Sequence, residues 1–156
     1  MPVDVRPEPM ASPTVRALIA ALDAELEERY PDPSQRHTHL AEEQVVEGIG
    51  TFVVAWRDDV AVGCGALRTI EPGVAELKRM FVAPEARNEG VGGAIVLALV
   101  AEAGRLGIAR LVLETGIRQQ EAIRLYERHG FQPVPCWGEY IASSDTSRCY
   151  ALDLVP

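Results

Sequence analysis

This chain of 156 residues contains few cysteines, no metal-ligand spacing and no long apolar run. The three cysteines, Cys64, Cys136 and Cys149, are an odd and scattered set, so they indicate neither a disulfide framework nor a zinc site. The longest apolar run, Ala94 to Ala101, is far shorter than the ~20 residues that a membrane span needs. The first ten residues contain no apolar leader segment. We therefore expect no metal, no membrane partner, and free thiols in a reducing cytoplasm.

Basic residues are also few. Fifteen Lys plus Arg residues against 23 Asp plus Glu residues give a formal net charge of −8. This balance argues against a nucleic-acid-binding protein, whose surface would be basic, and it favours cationic or amine partners. Hydrophobic residues make up 47% of the chain and charged residues 24%, which is an ordinary globular mix. The length fits a single domain spanning residues 1–156, large enough to bury a core without disulfides or metals.

The spacing of apolar residues predicts alternating helices and strands. Apolar side chains recur every three or four residues after Ser12 and predict a helix that ends near Tyr30, before Pro31. Local patterns predict further elements: strands at 3–6, 52–56, 60–68, 74–82, 109–114, 131–134 and 148–154, and helices at 40–47, 90–105 and 121–129. A helix separates the strands at 74–82 and 109–114, so these two should be parallel neighbours. Together, these elements predict an α/β domain with a mixed sheet of six or seven strands.

The most informative segment is the strand-loop-helix junction at residues 80–93. Its glycines allow a ligand to approach the backbone closely, and the free N–H groups of a helix start stabilise an anion such as pyrophosphate. Arg87 adds a full positive charge there. Close packing of a helix on a sheet is the alternative explanation of the glycines. A phosphate-binding P-loop is excluded because its Lys-Ser/Thr ending is absent, and a dinucleotide fingerprint fits only in part because Ile95 occupies the place of its third glycine.

Two motifs in order carry a resemblance to a known family. Arg87, Gly90 and Gly92 form the pattern R-x-x-G-x-G, and residues 122–131 read AIRLYERHGF. The sequence here resembles the GNAT superfamily of N-acetyltransferases, whose patterns are Q/R-x-x-G-x-G/A and A-x-x-L-Y-x-x-x-G-F. Residues 76–82, ELKRMFV, are similar to the family's fourth strand. The resemblance covers residues 51–134 well and the remainder by topology only.

The resemblance implies a fold and a co-substrate, acetyl-CoA. The fold is a mixed, mostly antiparallel six- to seven-stranded sheet flanked by about four helices, splayed between strands 4 and 5. Strict alternation along residues 76–82 leaves neither face apolar, so we expect a β-bulge in this strand, as the family commonly has. The cofactor's arm would pair with the backbone of the fourth strand and its pyrophosphate would lie on backbone N–H groups. The implied cofactor-binding residues are Met80, Phe81, Val82, Arg87, Asn88, Glu89, Gly90, Val91, Gly92, Gly93 and Gln119, the last standing where the family often has Asn.

The resemblance also implies catalytic residues. Tyr126 stands where family members often carry the acid that protonates the departing thiolate. A general base is needed because an amine of pKa ~10 is protonated at pH 7. Glu76 and Glu114 each match a position where relatives place that base, and we leave both open, alone or acting jointly through water. Backbone N–H near Val82 would stabilise the oxygen that gains negative charge.

The acceptor is predicted to be a primary amine of a small molecule or a peptide. In the family its pocket is walled by the loop after the first helix and by the last strands, here residues 30–39 and 135–141. Trp137, Glu139 and Tyr140 are an aromatic and acidic cluster suited to an ammonium group, or else they are packing residues of an edge strand. Family members are often homodimers, which leaves a homodimer open for this chain. The alternative function is a non-catalytic acyl-CoA-binding sensor that keeps only the cofactor cleft.

Overall fold

A computed structural model describes residues 2–154 of the protein. In these residues seven strands form one sheet, and three α-helices accompany it. The strands are β1 (Asp4–Pro7), β2 (Gly50–Arg57), β3 (Val60–Glu71), β4 (Val74–Val82), β5 (Arg110–Gly116), β6 (Gln132–Val134) and β7 (Ser147–Asp153). The helices are α1 (Pro13–Arg29), α2 (Val91–Arg105) and α3 (Gln120–Arg128). Four short 3₁₀ turns lie at Pro33–Gln35, Glu42–Val45, Pro84–Ala86 and Gly138–Ser143.

The strand order is β1-β2-β3-β4-β5-β7-β6, and every neighbouring pair is antiparallel except β4 and β5. Those two strands are parallel because α2 carries the chain across the sheet between them. The predicted fold class and the parallel pair are therefore confirmed. None of the helices within residues 2–154 has the length and apolar composition needed to span a bilayer.

The two faces of the sheet are covered by different helices. Helix α1 begins at Ser12, whose hydroxyl accepts a hydrogen bond from the N–H of Val15 at 3.1 Å, and ends before Pro31 as predicted. Its buried side chains pack with Phe52, Val54 and Phe81 of the sheet. The opposite face packs beneath α2, in a core that includes Leu77, Ile95, Leu99, Leu111 and Leu113.

Strands β4 and β5 separate partway along their length. Their pairing runs from Val74 with Arg110 to Leu77 with Leu113 and then stops. The remaining part of β4, from Lys78 to Val82, therefore has a strand partner on one side only. The expected splay is confirmed, and it opens the sheet above the residues that the sequence singled out.

A β-bulge lies in β4, as the sequence predicted. Arg79 and Met80 together oppose the single residue Gly65 of β3, and Arg79 has a φ of 59°. A side chain at Gly65 would meet the sulfur of Met80 at 2.5 Å, so glycine is required opposite the bulge. The bulge re-aims the side chains of β4 next to the open edge.

Two irregular segments differ from the prediction. The predicted helix at residues 40–47 is only the 3₁₀ turn Glu42–Val45, and none of its side chains is buried, so no packing stabilises a longer helix. No element was predicted at Gly138–Ser143, where a 3₁₀ turn places Tyr140 in the interior. That turn forms because of long-range contacts of Tyr140, which local patterns do not reveal.

Candidate active site

A cleft of about 350 Å³ runs along the open edge of β4. Its floor is the start of α2, and its walls are α3 and the C-terminal half of α1. The cleft brings together nearly all predicted cofactor-binding residues, namely Met80, Phe81, Val82, Arg87, Asn88, Gly90, Val91, Gly92, Gly93 and Gln119. Glu89 is the one outside its lining, because its carboxylate pairs with Arg57.

The start of α2 presents free backbone donors to this cleft. Gly90 caps the helix with a φ of 88°, and the first bond of the helix runs from the N–H of Ala94 to the carbonyl of Gly90. The N–H groups of residues 91–93 precede that bond and carry the positive end of the helix dipole. A β-carbon at Gly92 would lie 3.0 Å from a methyl group of Leu125, so α3 approaches closely here. This arrangement suits a diphosphate.

Arg87 is held by two protein groups at the edge of the cleft. Its Nε donates to the carbonyl of Val82 at 2.9 Å, and its Nη2 contacts both carboxylate oxygens of Glu25 at 2.8 and 2.9 Å. Arg29 extends this chain of ion pairs, since it lies 3.0 Å from Glu25 and 2.8 Å from Glu121. The network ties α1 and α3 together across the cleft.

Two basic residues of α3 were missed by the sequence analysis. Arg124 and Arg128 are exposed and line the cleft on the side facing the glycines. Their spacing of four residues places both on one face of the helix, which was the available signal. They supply positive charge where phosphate groups would lie.

A smaller cavity of about 70 Å³ adjoins the cleft. Four residues line both spaces: Leu22, Met80, Gln119 and Tyr126. The loop after α1 contributes Tyr30, Arg36 and His37 to the second cavity, whereas none of residues 135–141 lines it. The two cavities therefore meet at the splayed strands, in a layout suited to two substrates.

Tyr126 lies at this meeting point. Its side chain is 4% exposed, and its ring lies edge-on to that of Phe131 with the ring centroids 5.8 Å apart. Its hydroxyl makes no hydrogen bond with any group of residues 2–154. Burial raises the pKa of the phenol, and the nearby charge of Glu114 raises it further. The hydroxyl is thus protonated at neutral pH and able to donate.

Glu114 faces the second cavity from the end of β5. Burial raises the pKa of its carboxyl, and a hydrogen bond from Ser147 to Oε2 at 2.7 Å and the neighbouring His37 and Lys78 partly offset that rise. Among the described residues 2–154, no cation lies within salt-bridge distance of this carboxylate. Glu114 is therefore available for proton transfer.

Glu76 lies in a different environment. It is 2% exposed, and its Oε1 accepts hydrogen bonds from Nη2 and Nε of Arg68 at 2.8 and 3.1 Å. Its Oε2 accepts from the hydroxyl of Tyr140. Both oxygens are thus engaged by the protein, and Glu76 is absent from the lining of both cavities.

We expect Glu76→Gln to lower the free energy of unfolding by about 3 kcal/mol, because it leaves the buried guanidinium of Arg68 without a charged partner. Urea denaturation of the two proteins measures this difference. The matched control is Glu102→Gln, which removes the half-buried partner of the exposed Arg105 and should change stability by less than about 1 kcal/mol. Unchanged stability of Glu76→Gln together with a large loss of turnover would instead make Glu76 the base.

None of the three predicted acceptor residues lines the second cavity. The ring of Tyr140 lies edge-on to Trp137 at 5.2 Å and to His37 at 4.9 Å. The carboxylate of Glu139 accepts a hydrogen bond from Nδ1 of His37 at 3.0 Å. Their contacts support the residues of the wall, and their part in acceptor binding stays a prediction.

Gln119 contacts the backbone beside the cavities. Its Oε1 accepts a hydrogen bond from the N–H of Gly116 at 3.1 Å, so the side chain turns back toward the end of β5. It lines both spaces nevertheless.

The cysteines lie away from the two cavities. Burial raises the pKa of Cys64 to about 12, so it remains a thiol. Cys136 and Cys149 have their sulfur atoms 2.6 Å apart, a proximity that β6 and β7 create by pairing and that the sequence analysis did not foresee. Among residues 2–154, no cluster of three or more His, Cys, Asp or Glu side chains could hold a metal ion.

Comparison with known proteins identifies the family. The profile of the Acetyltransferase (GNAT) family matches residues 15–131. An IAA acetyltransferase of Azospirillum brasilense is 37% identical over 137 residues, which cover 86% of this chain and 87% of that protein. A solved structure of a proposed acyl-CoA N-acyltransferase from Klebsiella pneumoniae has a TM-score of 0.81 and 30% identity, covering 98% of each chain.

A second solved structure of the same fold contains acetyl-CoA. It is a GNAT family acetyltransferase from Elizabethkingia anophelis with acetyl-CoA bound, and it shares the fold with a TM-score of 0.71 at 19% identity, covering 97% of this chain and 98% of the other. The family profile spans most of the described chain, and the Azospirillum relative is similar over nearly the whole length. The chain therefore belongs to the acetyltransferase (GNAT) family.

Proposed function

We propose that this protein transfers the acetyl group of acetyl-CoA to a primary amine of a small molecule or peptide by direct attack in a ternary complex. The observation that carries the proposal is the meeting of two cavities at Tyr126, with Glu114 in the second of them. One cavity has the backbone donors and basic residues that suit a nucleotide, and the other has a carboxylate of raised pKa that suits an amine. The bound acetyl-CoA structure of the Elizabethkingia relative supports the first assignment.

Acetyl-CoA would be held mainly by backbone groups. The N–H groups of residues 91–93 would bind its diphosphate, and Arg124 and Arg128 would add positive charge nearby. Its extended arm would lie along the open edge of β4 between Lys78 and Val82, as an added strand does. When bound, it supplies the activated thioester, and the protein fixes that group beside the amine.

Glu114 is the general base in this proposal. It removes a proton from the ammonium group, because only the neutral amine has the lone pair that attacks a carbonyl carbon. Its raised pKa brings it closer to neutral pH and makes it a better proton acceptor than an exposed glutamate. Glu76 is already bonded to Arg68 and Tyr140, and so it fixes the neighbouring side chains in place.

Tyr126 is the general acid. Its phenol lies between the two cavities and donates its proton to the sulfur of the leaving thiolate. The backbone around Val82 lies in the same cleft and would stabilise the negative charge that develops on the carbonyl oxygen. No covalent enzyme intermediate is required, which agrees with the position of the three cysteines outside the cavities.

We expect Glu114→Gln to lower kcat/KM for the amine by about 10²- to 10³-fold, because the proton acceptor is lost. For the unmodified protein, kcat/KM should rise with pH through an acid limb that lies above 4.5, the ordinary value for Glu, since the raised pKa delays ionisation. Release of CoA thiol, measured against pH with a panel of amines, tests both statements.

The folded state should tolerate this change. A carboxyl whose pKa is raised on folding lowers stability as pH rises through that pKa, so Gln removes a cost at neutral pH. Glu102→Gln makes the same change at a half-buried position of α2 outside both cavities, so this control should keep full activity. If the protein binds acetyl-CoA and no amine in the panel releases CoA, the sensor function replaces the enzymatic one.

A further inference from the structure

We propose that the second cavity binds a carboxylate of the acceptor on the ammonium group of Lys78, so that the acceptor is a small amino acid. The inference rests on the acetyl transfer proposed above, and it assigns the acceptor a negative charge as well as an amine. An acidic chain would otherwise be expected to select a plain cation.

Lys78 is the only lysine in the sequence; every other basic residue among the 15 Lys plus Arg residues is arginine. It is 6% exposed and lines the second cavity at the point where β4 loses its pairing with β5. A lysine that is nine-tenths buried requires an anionic or polar partner, because an unpaired charge is costly away from water. Its burial therefore needs an explanation.

Within the described residues, Lys78 has few direct partners. Its Nζ has one hydrogen bond, to the hydroxyl of Tyr140 at 3.4 Å, and that hydroxyl already donates its own proton to Glu76. No carboxylate oxygen of residues 2–154 lies within 4.0 Å of the Nζ. An ammonium group has three donors, so at least two of them remain for a ligand. Burial lowers the pKa of Lys78, and the negative charges of Glu76, Glu139 and Glu114, which lie beyond salt-bridge distance, oppose that shift.

The other cations that line this cavity are bound to protein groups. Arg79 pairs with Asp23 at 2.5 Å. Arg36 donates from Nη1 to the carbonyl groups of Tyr30 and Pro31. His37 contacts Glu139 and Ser143 through its two ring nitrogens. Lys78 is thus the cation of the described lining whose one hydrogen bond goes to a hydroxyl, with no carboxylate or carbonyl partner.

The position of Lys78 relative to Glu114 fits an amino acid. Leu77 and Leu113 are the last residues of β4 and β5 that pair with each other. Lys78 directly follows the first of them, and Glu114 directly follows the second. Side chains alternate between the faces of a sheet, so Lys78 and Glu114 both point away from the face of Leu77 and Leu113. They lie on neighbouring strands at the same level, one basic and one acidic. A carboxylate on the first would direct the amine of the same small molecule toward the second.

The first test compares acceptors that differ only in charge. For the unmodified protein, small amino acids should give kcat/KM values at least about 10-fold higher than their carboxamides, which keep the amine and lose the negative charge. In Lys78→Met the ratio of the two kcat/KM values should fall to about one, and in Lys78→Arg a preference for the amino acid should remain. Circular dichroism and acetyl-CoA affinity check that both variants fold. Equal use of amino acid and carboxamide by the unmodified protein would overturn the proposal.

The second test does not need turnover. Because Lys78 is the only lysine, protein labelled with ¹³C at lysine Cε has a single lysine Cε signal. Short carboxylates such as propionate should shift this signal in a saturable manner in the protein loaded with CoA, and propionamide should leave it in place. A signal that does not respond to any carboxylate would refute the subsite even if amines are acetylated. A saturable shift with no acetylated amine would keep the subsite and reject the proposed reaction.

Mass spectrometry tests the alternative that Lys78 is itself acetylated. If Lys78 itself were the acetyl acceptor, incubation with acetyl-CoA would add one acetyl group, about 42 Da, to the peptide that contains it. An acetylated lysine is neutral and no longer binds anions, so this result would contradict the proposal. An unmodified Lys78 after turnover with an amino acid supports it.

Discussion

Tyr126→Phe is expected to lower kcat with acetyl-CoA by about 10²- to 10³-fold, which is the usual size of a general-acid contribution. The ring of Tyr126 packs against Phe131 and lines both cavities, and Phe keeps that shape. The hydroxyl accepts no hydrogen bond from residues 2–154, so its removal leaves no buried group unsatisfied. The affinity for acetyl-CoA should therefore change little, and steady-state kinetics combined with calorimetry separates the two quantities.

The chain offers a matched control for this substitution. Tyr150 is also buried and its hydroxyl contacts Glu127 at 3.2 Å, away from both cavities. Tyr150→Phe should keep kcat within about threefold of the original value because it removes a single hydrogen bond outside the site. An unaltered rate in Tyr126→Phe would remove Tyr126 from the mechanism and assign the proton to solvent.

Gly92→Glu is expected to abolish measurable binding of acetyl-CoA. A β-carbon at this position already lies 3.0 Å from Leu125, and the carboxylate would extend into the cleft where the diphosphate would lie on the start of α2. Two negative groups would then compete for the same helix dipole. We expect the dissociation constant to rise by at least about 100-fold, since each tenfold change requires only ~1.4 kcal/mol. Calorimetric titration with acetyl-CoA measures it.

Gly104 provides the corresponding control on the same helix. It is exposed near the other end of α2, and a side chain there would meet no atom within 4 Å. Gly104→Glu adds the same charge without approaching the cleft and should bind acetyl-CoA as the original protein does. Tight binding by Gly92→Glu would show that the diphosphate lies elsewhere.

The cofactor cleft was predictable from sequence because its parts are close together in the chain. The glycines, Arg87 and the end of β4 lie within 14 residues, from Met80 to Gly93, and their local conformation fixes their relative positions. The parallel pairing of β4 and β5 followed from the helix between them, and the bulge followed from the failure of alternation. Arg124 and Arg128 were missed because many helices carry basic residues four apart on a solvated face.

The lining of the second cavity was less predictable because its residues come from segments that are far apart in the sequence. The lining comes from α1, the loop after α1, β4, β5 and α3. Sequence could not separate Glu76 from Glu114, since the partner of Glu76 lies on β3 and the register that sets Arg68 opposite it depends on the whole hairpin. Trp137 and Tyr140 are in contact, but the direction in which Tyr140 enters the interior depends on its bond to Glu76, far away in the sequence. Lys78 drew no attention because a lysine in a strand is usually solvated.

The early separation of β4 from β5 also affects how the protein survives in a cell. After Leu77 and Leu113 the sheet is incomplete, and on the proposed function a bound acetyl-CoA fills the gap as a missing strand would. A ligand that binds only the folded chain raises the free energy of unfolding, by about 2.7 kcal/mol at a hundred times its dissociation constant. On the same proposal, the fraction of the protein that unfolds and meets proteases would fall when acetyl-CoA is plentiful, so that its abundance would follow the concentration of the acyl donor.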